Sequence, residues 1–406
     1  MPPRYRTNSI ANRTLKRRSS STTCRQLNVT LLAAEWGSKH GDLSIMSRAL
    51  AINLARVQEY KNERVKVKVT FFVPSCSDQE KQEAKTLNVD IVAAEKYPGM
   101  NSYACLCFPT RNTTIDVVIG HDVMLGGQAQ IIKEQHRCRW VHVAHTDPKE
   151  LSSKGQEQKD DVIELCENAD LVMTVGPKLK DVYSGKLRGC GKQKNVFEFT
   201  PGIIEELVIP PASNDSATFK VLVLGRINPE DFKGEGYGIA VKLKEEKYCL
   251  VFVCAFGRKV DEYAEYLRSE CEIPEEQLEV KAFIESREEL KRLFCEVDLA
   301  IMPSRTGGFG LTALEAFSAG LPILVSTNSG LAHALKRMPF GSQYIIDDQK
   351  NWAKNIKAVI NTTRKNRLDE IEQLRSSYEE RYSWQKQCTA FVERIWDMVV
   401  GKKYFI

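Results

Sequence analysis

No apolar run in this chain of 406 residues approaches the ~18–20 that a membrane-spanning helix needs. The longest, YCLVFVCAF (248–256), has the length of a buried strand. No apolar segment of the kind that precedes secretion follows the N-terminus, so a secreted product is not expected and the N-x-S/T sequons, such as those at Asn112 and Asn361, carry no weight. Not one C-x-x-C occurs among the 12 cysteines. Most cysteines sit in apolar runs, for example Cys249, Cys254 and Cys295, and read as reduced core thiols of a cytoplasmic protein. Cys105 and Cys107 stand one residue apart with no His/Cys pair beside them, so no metal is expected there. No G-x-G-x-x-G follows a strand, which weakens a dinucleotide-dehydrogenase reading.

Acidic residues are missing altogether from residues 1–26, which carry seven basic ones: Arg4, Arg6, Arg13, Lys16, Arg17, Arg18 and Arg25. The formal net charge is +5, so taking away these seven leaves the rest of the chain at −2. The folded part therefore gives no electrostatic case for binding nucleic acid. The stretch itself reads as a disordered basic tail. Its Arg- and Ser-rich character also overlaps a mitochondrial targeting signature.

What is present is a repeated β/α pattern. LNVTLLAA (27–34) is a strand run, and in LSIMSRALAINLARV (43–57) Leu43, Met46, Leu50, Leu54 and Val57 share one helical face. VKVKVTFFV (65–73), DVVIG (116–120), RWVHVAH (139–145) and ADLVMTV (169–175) follow as strands with helical stretches between them. IPPASNDSAT (209–218) has the composition of a linker. The pattern then restarts with FKVLVLG (219–225), CLVFVCAF (249–256), LEVKAF (278–283), VDLAIMP (297–303) and PILVS (322–326). Strands that are apolar throughout belong to parallel sheets covered on both faces. The expected architecture is α/β: two Rossmann-like, doubly wound domains facing a cleft, roughly 27–208 and 218–380, joined by a linker at 209–217. The segment 349–399 reads as two or three amphipathic helices. Ligands of such sheets bind beyond the carboxyl ends of the strands, so one site is expected in the cleft.

Three loops at strand ends carry candidate chemistry. In PSRTGGFGLTALEAFSAGLP (303–322) a helix opens on Gly307, Gly308 and Gly310, and one acid, Glu315, sits among Leu314, Ala316 and Phe317. N–H groups at a helix start attract anions, and glycine lets a phosphate approach the backbone. A tight turn without a ligand would read the same way. LGRINPEDFKGEGYG (224–238) offers Arg226 and Lys233, residues suited to a diphosphate, although solvated loop cations are common. EWGSKHGDLS (35–44) is the matching loop of the first half, with Gly37 and Gly41 ahead of a helix. HVAHTDP (142–148) puts His145 at a strand end, and IGHD puts His121 at another; each is a candidate ligand contact or a structural histidine.

GRINPEDFKG, followed by SREELKRLFCEVDLAIMPSRTGGFGLTALEAFSAGLPILVS, resembles the donor-binding domain of retaining glycosyltransferases of the GT-B fold, family 4. The first half agrees: its glycine loop, the His145 strand end, and ADLVMTVGPKLKDVY ahead of VFEFTPGI. YSWQKQC resembles the family's last helix, which crosses back to the first domain and here would occupy 381–406. The likeness covers about residues 27–398.

The resemblance implies a sugar transferase that takes a nucleoside-diphosphate sugar as donor, has an acceptor it does not name, and needs no metal or further cofactor. Arg226 and Lys233 would bind the diphosphate, and Glu315 would accept hydrogen bonds from the ribose hydroxyls. Gly308, Phe309, Gly310, Leu311 and Gly41 would line the donor site through their backbone, and His145 would contact the donor sugar. Two positions depart from the family pattern: Gly307 stands where a glutamate is expected, and Asp42 follows Gly41 where a second glycine is expected. A carboxylate a few ångströms from a diphosphate is repulsive by roughly 1–4 kcal/mol. A catalytically impaired sensor or scaffold, and a nucleotide-sugar epimerase of the same architecture, are therefore the alternatives.

Overall fold

The computed structural model describes residues 25–37, 41–57, 59–60, 63–110, 113–151, 156–208, 218–224, 248–254, 259–271, 273–284, 286–303, 308–347 and 351–401. The tail through residue 24, the 209–217 linker, Arg226, Lys233 and Gly307 lie outside the described residues.

The first sheet is built from β1 (Arg25–Leu32), β2 (Glu59–Tyr60), β3 (Glu63–Val73), β4 (Val89–Ala93), β5 (Val117–His121), β6 (Arg139–Ala144), β7 (Leu171–Val175) and β8 (Val196–Phe199). Between them run α1 (Asp42–Ala55), α2 (Asp78–Thr86), α3 (Asp122–His136), α4 (Pro148–Leu151), α5 (Gln156–Asn168) and α6 (Pro177–Lys186). The strand order is β4-β3-β1-β5-β6-β7-β8, all parallel, with β2 paired antiparallel to β3. The second sheet holds β9 (Phe219–Val223), β10 (Tyr248–Val253), β11 (Leu278–Lys281), β12 (Leu299–Met302), β13 (Ile323–Ser326) and β14 (Ile345–Ile346), in the parallel order β11-β10-β9-β12-β13-β14. Its helices are α7 (Val260–Cys271), α8 (Arg287–Glu296), α9 (Leu311–Ser318), α10 (Gly330–Leu335), α11 (Trp352–Asn361) and α12 (Arg364–Tyr382), and α13 (Trp384–Val400) closes the described chain.

Both orders are doubly wound. The direction of winding reverses between β1 and β5 in the first sheet and between β9 and β12 in the second, and a ligand crevice opens at such a reversal. The strands are buried on both faces: every residue of β5, β7, β12 and β13 is inaccessible or nearly so. That burial is why these segments are apolar without alternation.

The chain returns to the first sheet at its end, as expected. Ser383 caps α13, accepting from the Lys386 N–H at 3.3 Å. Phe391 then packs on Phe197 and Phe199, and Trp384 on Phe199, with ring centroids 5.7–6.3 Å apart. The Arg139 Nε–H donates to the Met398 carbonyl at 2.9 Å, and the Thr200 N–H to Gln387 Oε1 at 3.0 Å. At the crossing, the Tyr378 hydroxyl donates to the Pro201 carbonyl at 2.8 Å. A Cβ at Gly202 would come within 2.5 Å of the Tyr382 carbonyl, so this passage needs glycine.

Three readings change. β1 begins at Arg25, two residues before the expected start, because Arg25 and Gln26 pair with Val65 and Lys66. Cys295 is exposed and Cys249 half-buried, so neither is a core thiol, whereas Cys254 is buried. Cys295 falls on the outer face of α8, a position that an apolar neighbourhood in sequence does not reveal. Finally, β4, β8 and β14 extend the sheets beyond the expected strands.

Candidate functional site

The second sheet contributes the start of α9, immediately after β12. Gly310 is the N-cap, in a left-handed conformation (φ 87°, ψ 54°), and a Cβ there would lie 2.6 Å from Met302 Cε. Glycine is required for both reasons. Its carbonyl accepts from the Ala313 and Leu314 N–H groups, each at 3.1 Å. No side chain caps the start of α9, and a helix start attracts anions. Glu315, one turn into α9, is 5% exposed and forms an ion pair through Oε1 with Arg287 at the start of α8. Arg287 holds the carboxylate as a charged acceptor inside an apolar helix; otherwise burial of that charge would be costly.

Gly308 and Phe309 have a role beyond backbone contact. Phe309 is 2% exposed and lies between the two halves of the molecule. A Cβ at Gly176, at the end of β7, would sit 2.5 Å from Phe309 Cδ2, and one at Gly330 would sit 2.8 Å from Phe309 Cα. Gly308 rests against the carbonyl of His145 so closely that no side chain fits. The Gly308 and Phe309 carbonyls accept from the Gly330 and Leu331 N–H groups at 3.0 and 2.7 Å. The candidate donor loop and the His145 strand end are therefore in direct contact.

From the first sheet come the ends of β1, β5 and β6. Gly41 caps α1 with φ 64°, ψ −136°, a conformation open only to glycine. The helix it opens packs against α9. Glu35, at the end of β1, accepts from Ser44 Oγ at 3.1 Å. His145, 8% exposed, donates its backbone N–H to Asp122 Oδ1 at 2.9 Å. Asp122 also accepts from Thr146 Oγ1 at 3.4 Å, and its φ of 42° is one of the few positive values outside glycine. Burial raises the Asp122 pKa, against the pull of its hydrogen bonds. Such a backbone costs about 1–3 kcal/mol and persists where the surroundings fix it, often at a site. The His145 ring meets His121, with Nε2 and Nδ1 2.8 Å apart, and His121 Nε2 lies 3.2 Å from Ser47 Oγ. Burial depresses the His121 pKa, helped by the neighbouring His145 and His142.

Gly41, His145, Gly308, Phe309, Gly310, Leu311 and Glu315 thus belong to elements that meet where the two sheets face each other. Arg226 and Lys233 lie on the segment that follows β9, the strand beside β12. Arg287, Asp122 and Ser47 were not anticipated. Arg287 reaches Glu315 only through tertiary packing, which leaves no local signal. The His-Asp pair at the end of β5 was visible, but nothing in it indicates that Asp122 clamps the next strand's end. Among the described residues, no group of three or more His, Cys, Asp or Glu is arranged to hold a metal ion, and no helix is long and apolar enough to cross a membrane.

Comparison with known proteins bears on this geometry. The family model described as "Family 4 Glycosyltransferase in conflict systems" matches residues 30–391. Among curated proteins, the D-inositol 3-phosphate glycosyltransferase of Corynebacterium urealyticum is 23% identical over 308 residues, 68% of this chain and 70% of that protein. Among solved structures, sucrose-phosphate synthase from Thermosynechococcus elongatus superposes with a TM-score of 0.71 at 15% identity, covering 92% of this chain and all (100%) of that one. Anabaena HepE, in a structure with UDP and glucose, gives 0.67 at 14% identity, covering 91% and 100%.

Proposed function

Because the chain belongs to the family 4 glycosyltransferases of conflict systems, we propose that it moves a sugar from a nucleoside-diphosphate donor, held on the second sheet, to an acceptor held on the first. The observation that carries this reading is Glu315: a charged carboxylate 5% exposed, fixed by Arg287, one turn inside a helix that opens on Gly310. A ribose would offer this acceptor two hydroxyl donors. The bound UDP in Anabaena HepE supports a uridine nucleotide as the first donor to try.

In the reaction, the bond between the anomeric carbon and the diphosphate oxygen breaks, the acceptor hydroxyl oxygen bonds to the same face of the sugar, and the hydroxyl proton passes to the departing diphosphate oxygen, so configuration is retained. The diphosphate leaves with its electron pair and takes up negative charge. Arg226, Lys233 and the start of α9 stabilise that charge, and His145 orients the sugar. Charge stabilisation of this kind is usually the largest part of the rate.

A second reading, a donor-binding module with little turnover, is favoured by Gly307, which supplies no carboxylate to the sugar. Release of nucleoside diphosphate from a panel of nucleotide sugars, with and without candidate hydroxyl acceptors, separates the readings. A transferase releases more with the right acceptor. A binding module is stabilised by donor, by about 2.7 kcal/mol at 100 times the dissociation constant, without releasing product. An epimerase converts the donor sugar with no acceptor present.

A further inference from the structure

The contact between His121 and His145 fixes where the proton on His145 resides. Ser47 has one hydroxyl proton and donates it to the Leu43 carbonyl at 2.7 Å. Its 3.2 Å contact with His121 Nε2 can then only be Nε2–H donating to Ser47 Oγ. His121 is 0% exposed and is held neutral by its burial, so its Nδ1 carries a lone pair and no proton. The 2.8 Å contact with His145 Nε2 requires the proton to lie on His145. We propose that His121, braced by Ser47, is the positioning residue for His145. It confines the neutral His145 ring to the Nε2–H form, in which Nδ1 can only accept a hydrogen bond.

This inference rests on the donor reading and sharpens it. An accepting nitrogen pairs with a hydroxyl, not with a phosphate oxygen, so in its Nε2–H form His145 is matched to the sugar and not to the diphosphate. Asp122 completes the brace: it holds the His145 backbone at 2.9 Å from the same strand end that carries His121. The imidazole is therefore fixed at both its ring and its main chain. A histidine's free partner nitrogen often sets the tautomer of the nitrogen that works, as this chain of three residues does.

The test uses the full chain with ring-labelled histidine, read by nitrogen NMR at neutral pH. In the natural protein, His121 and His145 should both show a protonated Nε2 and a bare Nδ1. Ser47→Ala removes one oxygen and should release His121, giving mixed tautomers at both rings. His121→Leu should scramble His145, whereas His121→Asn, whose amide oxygen stands where Nδ1 stood, should preserve its form. On a responsive donor, His121→Leu should lower kcat about tenfold, the worth of one buried hydrogen bond, with donor affinity little changed, and the asparagine variant should recover most of it. If the leucine variant does not fold, Ser47→Ala and His121→Asn carry the test. A His145 ring protonated at Nδ1 in the natural protein, or unchanged in Ser47→Ala, overturns the proposal. The NMR readout needs no turnover, so its failure is distinct from failure of the donor reading, which would appear as absence of nucleotide binding with the tautomers as described.

Discussion

His142, in the middle of β6, should make the protein lose stability as pH falls, and replacing it with phenylalanine should remove a defined part of that loss. The ring is 0% exposed, stands edge-on to Trp140 with centroids 5.9 Å apart, and among the described residues neither nitrogen has a hydrogen-bond partner. Burial, with a smaller contribution from His145, depresses its pKa to about 3. An unfolded histidine titrates near 6.5. Below that value the unfolded chain binds a proton that the folded one refuses, so the stability His142 contributes is present above pH ~6.5 and falls by about 1.4 kcal/mol per pH unit down to the folded value. Between pH 7 and pH 5 the loss is about 2 kcal/mol. His142→Phe keeps an aromatic ring against Trp140 and cannot take the proton. Urea unfolding of both proteins at pH 7, 6 and 5 should show the variant gaining about 2 kcal/mol on the natural protein over that range, whatever the offset at pH 7. His121 and Asp122 are common to both proteins, and burial, the main cause of the His121 shift, is unchanged by the substitution, so their titration largely cancels in the comparison. Parallel pH profiles would refute the reasoning and mean that His142 has a partner for its charged form.

Three further outcomes follow from other parts of the structure. Gly176→Ala puts a Cβ into Phe309 at a backbone φ of 86°, so backbone strain alone should cost about 1–3 kcal/mol; thermal unfolding should drop by several degrees, and Phe309→Leu should restore part of it. Removing residues 1–24 should leave the melting temperature within about two degrees, since β1 starts at Arg25, and a larger loss would mean that the tail packs on the fold. Gly307→Glu combined with Asp42→Gly should raise nucleoside-diphosphate release above that of the natural protein by roughly 10- to 150-fold if one charged hydrogen bond is felt in the transition state. Brisk natural turnover with a slower double variant would dismiss the binding-module reading.

The architecture was legible because its central strands are built around apolar runs. β1, β5, β6, β7, β9, β10, β12 and β13 are all anticipated by runs such as VLVLG and DLAIMP. The edges were not. VDIVA in β4 and VFEF in β8 carry an acid each, and β14 is two residues long, so neither run length nor alternation marks them. The glycines of the site are legible in the sequence, but turn geometry is only part of their physical reason. Gly310 needs its φ of 87° to turn into α9, but Gly308 is needed to clear the His145 carbonyl, a constraint set by the other half of the molecule. Phe309 reads as backbone scaffolding in the loop and proves to be a side-chain wedge between Gly176 and Gly330. Glu315 stands out in the sequence because an acid is out of place among Leu314, Ala316 and Phe317. Its partner Arg287, 28 positions earlier, leaves no such local signal, since the two side chains meet only in the folded chain.

The central claim is that Glu315 grips the ribose of a nucleoside diphosphate beside a helix start that holds its phosphates. Calorimetric titration of the natural protein and Glu315→Gln with UDP and with inorganic diphosphate tests it most directly. The variant keeps the shape of the side chain and removes the charged acceptor, which is worth about 1.5–3 kcal/mol to a hydrogen bond. The account predicts UDP affinity at least about tenfold weaker in the variant, with diphosphate affinity unchanged, because diphosphate has no ribose to lose. Equal UDP affinity in the two proteins would contradict it, and Glu315 would then be only the buried partner of Arg287.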